Sequence, residues 1–405
     1  MQIIEKSNDM RKKIFQIAAV LLGLCFLVTA QTRRIVDGIG GGGKYVKISD
    51  AITAAAAGDT IDVLQGTYTE AQTISIPKKL VIKGAGYKSN GTVIKKVGLS
   101  FADAADNSRF YGFRFDSLMV TIENNADNIL IAENYFFASN IYMYGNTGDT
   151  VRNNIFIFPN TINPIFTPYN ISLANVVICN NIFDGTGPSN NVAAVYLRVQ
   201  SAFQSGIKIY NNYFGETTTV LYGDWNVFDG MSIVGNVFYK VTNITGAANA
   251  AQLFTGNWLF GITGTPLQPS NAVDNGSGDP LFTRFDQAKG FVFVEDTAQD
   301  TDFRIKTSAG IFPNSPIDAS YRSISPMPMN YVDVQQQPGT TNTNRADAGI
   351  FGGPFPFKSP FVASTVAGVS SISATAKGTG GVVISPKGVI QVNVTGSFGG
   401  SATPK

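Results

Sequence analysis

The chain contains no histidine. That absence removes imidazole acid–base catalysis, Ser-His-Asp and Cys-His triads, and His-ligated zinc. Charge is scarce as well: Lys, Arg, Asp and Glu make up 14% of the 405 residues, against roughly 25% in an ordinary globular domain. A net charge of +2 offers no basic surplus for a nucleic-acid backbone. No apolar run reaches the ~20 residues of a membrane-spanning helix. Only two cysteines occur, Cys25 and Cys179.

The first 30 residues read as an address. Arg11, Lys12 and Lys13 precede an apolar run from Ile17 to Val28, which ends in Val28-Thr29-Ala30. A basic start, a short apolar stretch and small residues before the cut describe a secretory signal peptide. Leu24 ahead of Cys25 is too large for the usual lipoprotein pattern. The leader holds four of the 30 Lys/Arg and two of the 28 Asp/Glu, so residues 31–405 are balanced at 26 of each. Cleavage leaves Cys179 alone, so no intrachain disulfide is expected and stability must come from an extended core.

What the chain does have is a phrase that returns. Ile131-Ala132-Glu133-Asn134-Tyr135-Phe136 recurs as Val151-Arg152-Asn153-Asn154-Ile155-Phe156 and Ile178-Cys179-Asn180-Asn181-Ile182-Phe183. It returns again as Ile209-Tyr210-Asn211-Asn212-Tyr213-Phe214 and Ile233-Val234-Gly235-Asn236-Val237-Phe238, with a fainter copy at Gly256-Asn257-Trp258-Leu259. The marked Asn residues are 20, 27, 31, 24 and 21 positions apart. Such irregular periods indicate stacked coils with loops of varying length. Within each phrase the apolar alternation is that of a strand. Asn at the break is expected to take a left-handed backbone and to hydrogen-bond along the stack. The Phe two residues later is expected to stack on its equivalents. Of the 33 Asn, 23 lie between Asn124 and Asn257, so the enrichment belongs to the repeat. An antiparallel sandwich with Asn-rich turns gives no reason for one phrase to recur, and a parallel β-helix does.

The segment upstream carries a more specific resemblance. Ile48-Ser49-Asp50-Ala51-Ile52, the alanines 54–57, Gly58-Asp59-Thr60-Ile61-Asp62-Val63 and Gly66-Thr67-Tyr68-Thr69-Glu70 resemble the capping helix and first coil of the right-handed parallel β-helix superfamily, which includes pectate lyases and polygalacturonases. Ser49 or Asp50 is suited to start such a helix, the alanines to favour it and Gly58 to end it. The phrases Gly278-Asp279-Pro280-Leu281-Phe282, Asp302-Phe303-Arg304-Ile305, Ser315-Pro316-Ile317-Asp318-Ala319 and Asp347-Ala348-Gly349-Ile350-Phe351-Gly352 are similar to the closing segment of secreted bacterial β-helix proteins. The resemblance implies an all-β, right-handed, single-stranded parallel β-helix over residues 44–353. A Gly-rich linker, 31–43, is expected before it. A β-rich or partly ordered C-terminal segment, 354–405, is expected after it.

The family's chemistry does not carry over with the fold. Polygalacturonases use several Asp and a His, which this chain lacks; pectin methylesterase and pectate lyase motifs find no matching cluster, so no metal and no cofactor is implied. Position narrows the search instead. Enzymes of the superfamily place their sites on the outer face of the first strand of each coil. Candidate first strands are Leu118 to Asn124, Asn140 to Asn146, Ala193 to Gln200 and Thr217 to Trp225. Alternation sends Thr121, Glu123, Tyr142, Tyr144, Tyr196 and Arg198 outward, with Tyr222 and Asp224 as further members. Between Asn154 and Asn181 the first strand is not evident, and Phe166 and Tyr169 are its nearest contributors.

Glu123, Tyr142, Tyr144, Tyr196, Arg198 and Asp224 form the candidate substrate-binding set, since aromatic faces stack on sugar rings and charged groups orient them. Arg198 or a tyrosine would be the base of a lyase-like elimination. The plainer reading is a solvated face with Tyr favoured by strand propensity. A second outer column, Tyr135, Ile155, Ile182, Tyr213, Val237 and Trp258, is apolar enough to call for cover by a loop or by the C-terminal segment.

Two function classes remain: a secreted or surface-exposed protein that contacts polysaccharide, lyase-like or purely binding, and a non-catalytic structural or adhesive rod. Eight acidic against four basic residues from Glu123 to Lys240 tilt against a polyuronate substrate. A cell-surface glycan is the expected partner, without nucleic acid and without a transmembrane segment after cleavage.

Overall fold

The computed structural model describes residues 31–262 apart from 40–42, 88–90, 159–162, 169–170, 172, 186–194, 200–203, 216, 223–230 and 246–252. Beyond 262 it describes five short strands: Gly276–Ser277, Phe282–Arg284, Asp302–Ile305, Val382–Ile384 and Ile390–Val392. The leader 1–30 therefore lies outside the described residues.

Each coil contributes three short strands, and equivalent strands stack into three parallel sheets. Sheet 1 has eight strands: Ile74–Ile76, Leu99–Phe101, Met119–Ile122, Asn140–Met143, Ile165–Thr167, Val195–Val199, Thr219–Tyr222 and Asn243–Thr245. Sheet 2 has ten, from Arg33–Val36 through Leu130–Ala132 and Val177–Cys179 to Leu253–Thr255. Sheet 3 also has ten, from Gly66–Tyr68 through Tyr135–Phe137 and Ile182–Asp184 to Gly276–Ser277. The chain is thus a parallel β-helix, the architecture the sequence resemblance implies.

The recurring phrase is the passage from sheet 2 to sheet 3. Asn134, Asn154, Asn181, Asn212, Asn236 and Asn257 are fully buried and form a continuous ladder. Each amide donates from Nδ2 to Oδ1 of the next, at 3.1, 3.1, 3.0, 3.0 and 3.0 Å. The residue that takes the left-handed backbone is the one before: Glu133, Asn153, Asn180 and Asn211 have φ between 53° and 56°, followed by Gly235 and Gly256 at 63° and 60°. The expectation that the ladder Asn itself adopts that conformation is corrected accordingly. Two jobs fall to two neighbours, one bending the chain and one capping it from inside.

Behind the ladder runs the aromatic column. Phe115, Phe136, Phe156, Phe183, Phe214 and Phe238 are buried and stack with centroids 4.8, 4.6, 4.8, 4.9 and 5.3 Å apart. These spacings match the ~4.8 Å separation of parallel strands, so ring stacking and backbone pairing reinforce one register.

A helix α1 (Ile48–Ala54) sits at the N-terminal end and buries Ile48, Ala51 and Ile52. It keeps the core of the first coil from water, as solenoid ends require. Neither Ser49 nor Asp50 starts it. Glu70 does, accepting the amides of Ile48 and Ser49 on Oε1 at 2.8 and 3.2 Å. The helix closes at Ala55, ahead of Gly58. Arg33–Val36, inside the stretch expected as a linker, is the first strand of sheet 2 and pairs with Thr60–Val63. In the C-terminal region, Phe282–Arg284 pairs antiparallel with Asp302–Ile305, and Val382–Ile384 with Ile390–Val392.

Candidate functional site: the outer face of sheet 1

Alternation in sheet 1 turns Val120, Ile122, Ile141, Met143 and Ile165 into the core, where each is at most 2% exposed. The intervening residues share register. Thr121 pairs with Tyr142, Tyr142 with Phe166, Phe166 with Arg198 and Arg198 with Tyr222, one per rung. Ile165–Thr167 is the strand that sequence alone did not mark. It is three residues long between Pro164 and Pro168, too short to show a period of two.

Tyr142 is the centre of an aromatic platform. Its half-buried ring meets Phe166 of the next rung edge-on at 4.8 Å and 61°, and lies 6.3 Å from Tyr144 at an interplanar angle of 24°. Phe166 and Tyr144 are likewise half-buried. Glu123 borders the platform. It follows the paired residues Ile122 and Met143 as Tyr144 does, and its Oε1 accepts the Ser100 hydroxyl at 2.9 Å.

Register separates the rest of the expected set. Leu197 pairs with Ile165, which pairs with Ile141, so Tyr196 falls on the column of Asn140 and Met119. Arg198, not Tyr196, occupies the column of Tyr142. Asp224 and Tyr169 lie outside the described residues.

The turn after the platform is tightly built. Gly145 has φ +74°, and a Cβ there would lie 2.6 Å from Asn124 Oδ1 of the preceding coil. Asn146 is fully buried and donates from Nδ2 to the carbonyl oxygens of Glu123 and Ala126, at 2.7 and 3.2 Å. Asp149 is also fully buried; its Oδ1 accepts the Ile129 amide at 2.7 Å and its Oδ2 has no partner among the described residues. Burial, with Asp127 and Asp106 adding repulsion, pushes its carboxyl up to about 8. Nothing in the sequence distinguishes Asp149 from Asp106, which is exposed, or Asp127, which is half-buried, in the neighbouring turns.

Cys179 lies between Arg152 and Tyr210 in register, as alternation implies, yet is fully buried. Burial pushes its thiol up to about 12, against the opposing pull of a hydrogen bond with Tyr210 and of Arg152. A thiol so held is a packing residue. Among the described residues no group of three or more acidic or cysteine side chains is placed to hold a metal ion. No described helix is long and apolar enough to cross a membrane.

No family model matches the chain, and no curated protein matches it. Among solved structures it is similar to pectate lyase Pel9A, with 14% identity and a TM-score of 0.40, over 80% of this chain and 96% of that one. It is also similar to ORF18 of Geobacillus virus E2, with 18% identity and a TM-score of 0.35, over 65% of this chain and 63% of the other. A third likeness is to the catalytic domain of a GH87 alpha-1,3-glucanase in complex with tetrasaccharides, with 11% identity and a TM-score of 0.19, over 61% and 68% of the two chains.

Proposed function

We propose that this chain is a secreted polysaccharide-binding β-helix that holds its glycan against the outer face of sheet 1. The observation that carries the reading is the platform of Tyr142, Tyr144 and Phe166, three half-buried rings on two successive rungs with Tyr142 against both of the others. Tyrosine and phenylalanine faces match the apolar faces of sugar rings, and a tyrosine hydroxyl adds a donor at the edge. Register continues the column with Arg198. Glu123, tied to Ser100, borders the other side of the platform.

The reading is one of binding. The test is affinity for a panel of neutral and acidic polysaccharides, read beside release of reducing ends and unsaturated products. A Tyr142→Ala/Phe166→Ala variant is expected to lose about tenfold or more in affinity while keeping its melting temperature, because both rings are already half in water. Unchanged binding by that variant moves the site elsewhere. Absence of binding by the wild type across the panel favours a rod with a structural role.

A further inference from the structure

Sheet 3 turns one set of residues inward to the aromatic column and the other outward. One outward column runs through nine rungs in unbroken register: Thr67, Val93 and Arg114, then Tyr135, Ile155, Ile182, Tyr213, Val237 and Trp258. Its character changes along the stack. Thr67 is exposed, and Val93 and Arg114 are half-buried. The last six are apolar or aromatic and at most 3% exposed.

An outward side chain on a sheet keeps contact with water unless another layer lies over it, because neighbours ~4.8 Å away in the same column cover only its flanks. Tyr87 stacks on Tyr135 at 6.1 Å and accounts for that rung. The remaining described elements of 31–262 do not supply the cover. Besides the three sheets and the helical turns near the N-terminus there is one further pair, Leu173–Ala174 with Gln204–Ser205, and it precedes strands of sheet 2, on the turn away from sheet 3. Exposure falls between Arg114 and Tyr135 and stays at or below 3% from there to Trp258, so the cover lies over the C-terminal six rungs of the column.

We propose that the Phe/Pro segment from Phe351 to Phe361 lies along the outer face of sheet 3 as an apolar strap. The 143 residues from 263 to 405 follow the last coil whose three strands are all described, so the segment has chain enough to return. Its sequence, Phe351-Gly352-Gly353-Pro354-Phe355-Pro356-Phe357-Lys358-Ser359-Pro360-Phe361, places four phenylalanines among three prolines, a composition that favours an extended chain. Eleven residues in that conformation span ~34 Å, against ~24 Å for the five intervals between Tyr135 and Trp258 at the strand spacing. Proline brings no N–H to leave unsatisfied on an apolar face. A loop such as 186–194, anchored at both ends to one rung, reaches only ~15 Å from its anchor when doubled back, which covers part of the column.

The test uses the full chain. A photoreactive benzoylphenylalanine at Phe137, a half-buried position on the same face, is expected to cross-link to the tryptic peptides between Arg345 and Lys377. Cross-links to 186–194, or to a second copy of the chain, overturn the assignment. A second readout is Cys179, buried on the adjoining edge of sheet 2. In a Phe355→Ser/Phe357→Ser variant its labelling by a maleimide is expected to rise on the order of 100-fold through local opening, with little dependence on urea. A rise that follows urea with the full slope of global unfolding, or no rise at all, sinks the proposal.

Discussion

Asn154 gives both its backbone amide, at 2.9 Å, and its side-chain amide, at 3.1 Å, to the single oxygen Oδ1 of Asn181. Asn181 in turn donates from Nδ2 to the Val151 carbonyl at 2.9 Å and to Asn212 Oδ1 at 3.0 Å. One buried side chain therefore satisfies four polar groups on two other coils. Replacing it with alanine strips the Asn154 backbone amide of this partner where water does not reach, at about 1–3 kcal/mol for a group left unpaired. It also takes one hydrogen bond each from the Val151 carbonyl, from Asn154 Nδ2, which keeps the Ile131 carbonyl, and from Asn212 Oδ1, which keeps the backbone amide of residue 181. An Asn181→Ala variant is expected to lose at least ~3 kcal/mol in urea unfolding. Asn181→Asp is expected to be worse, because a carboxylate keeps the acceptor, loses the donor and faces Asn212 Oδ1. Equal stability of Asn181→Asp and wild type at neutral pH would sink this account of the ladder.

The aromatic column makes a different demand. Phe183 lies between Phe156 at 4.8 Å and Phe214 at 4.9 Å, nearly parallel to the first at 2°. A Phe183→Ala variant opens a cavity that neighbouring rungs cannot close, since each is held at fixed spacing by its own hydrogen bonds. The expected cost is about 3–5 kcal/mol. Phe183→Leu, which keeps most of the volume, is expected to cost less than half as much. The comparison of urea midpoints at unchanged slope checks both.

How much of this was legible in the sequence depends on whether packing or loop length decides the matter. The ladder Asn and the column Phe announce themselves because every coil needs the same residue at the same buried place. The left-handed residue is harder to assign. In Asn153-Asn154, Asn180-Asn181 and Asn211-Asn212 two identical side chains are adjacent, and only the copies with Glu133, Gly235 and Gly256 in first place separate their roles. The platform was legible as a face and not as a register. Loops of unequal length hide which rung aligns with which, so Tyr196 looks equivalent to Tyr142 until the pairing through Ile165 assigns that place to Arg198. Glu70 as the partner of α1 was beyond reach, since the contact spans 22 residues and a complete turn of the coil.

That contact yields a further prediction. Glu70 Oε1 accepts two amides at the start of α1, where unpaired N–H groups and the helix dipole both favour a negative charge. Glu70→Ala is expected to destabilise by about 1–2 kcal/mol, and Glu70→Gln by less, because the amide oxygen still accepts. Faster hydrogen exchange confined to residues 48–55 is the measurement. Uniform acceleration across the coils would show that α1 and the stack open together.

Asp149 gives the chain a pH dependence of unusual sign. Most carboxylates with folded partners are held below their ordinary value and lose stability in acid; this one is held at about 8 by burial and by Asp127 and Asp106. Between its ordinary value near 3.8 and about 8 the folded chain retains a proton that the unfolded chain has released. The stability tied to this group is therefore fully present below ~4, declines as pH rises through that window and is flat above it. At ~1.4 kcal/mol per unit the decline reaches several kcal/mol at most. In Asp149→Asn the side-chain oxygen still accepts the Ile129 amide, and the amide NH₂ needs no proton from solution. The variant is expected to match wild type near pH 4.5 and to exceed it increasingly at pH 6.5 and 8.5, when urea midpoints are compared at each pH. Other titrating groups are common to both chains and cancel in that difference. A gap between variant and wild type that stays constant with pH, or narrows as pH rises, would show that Asp149 is ionised in the folded chain.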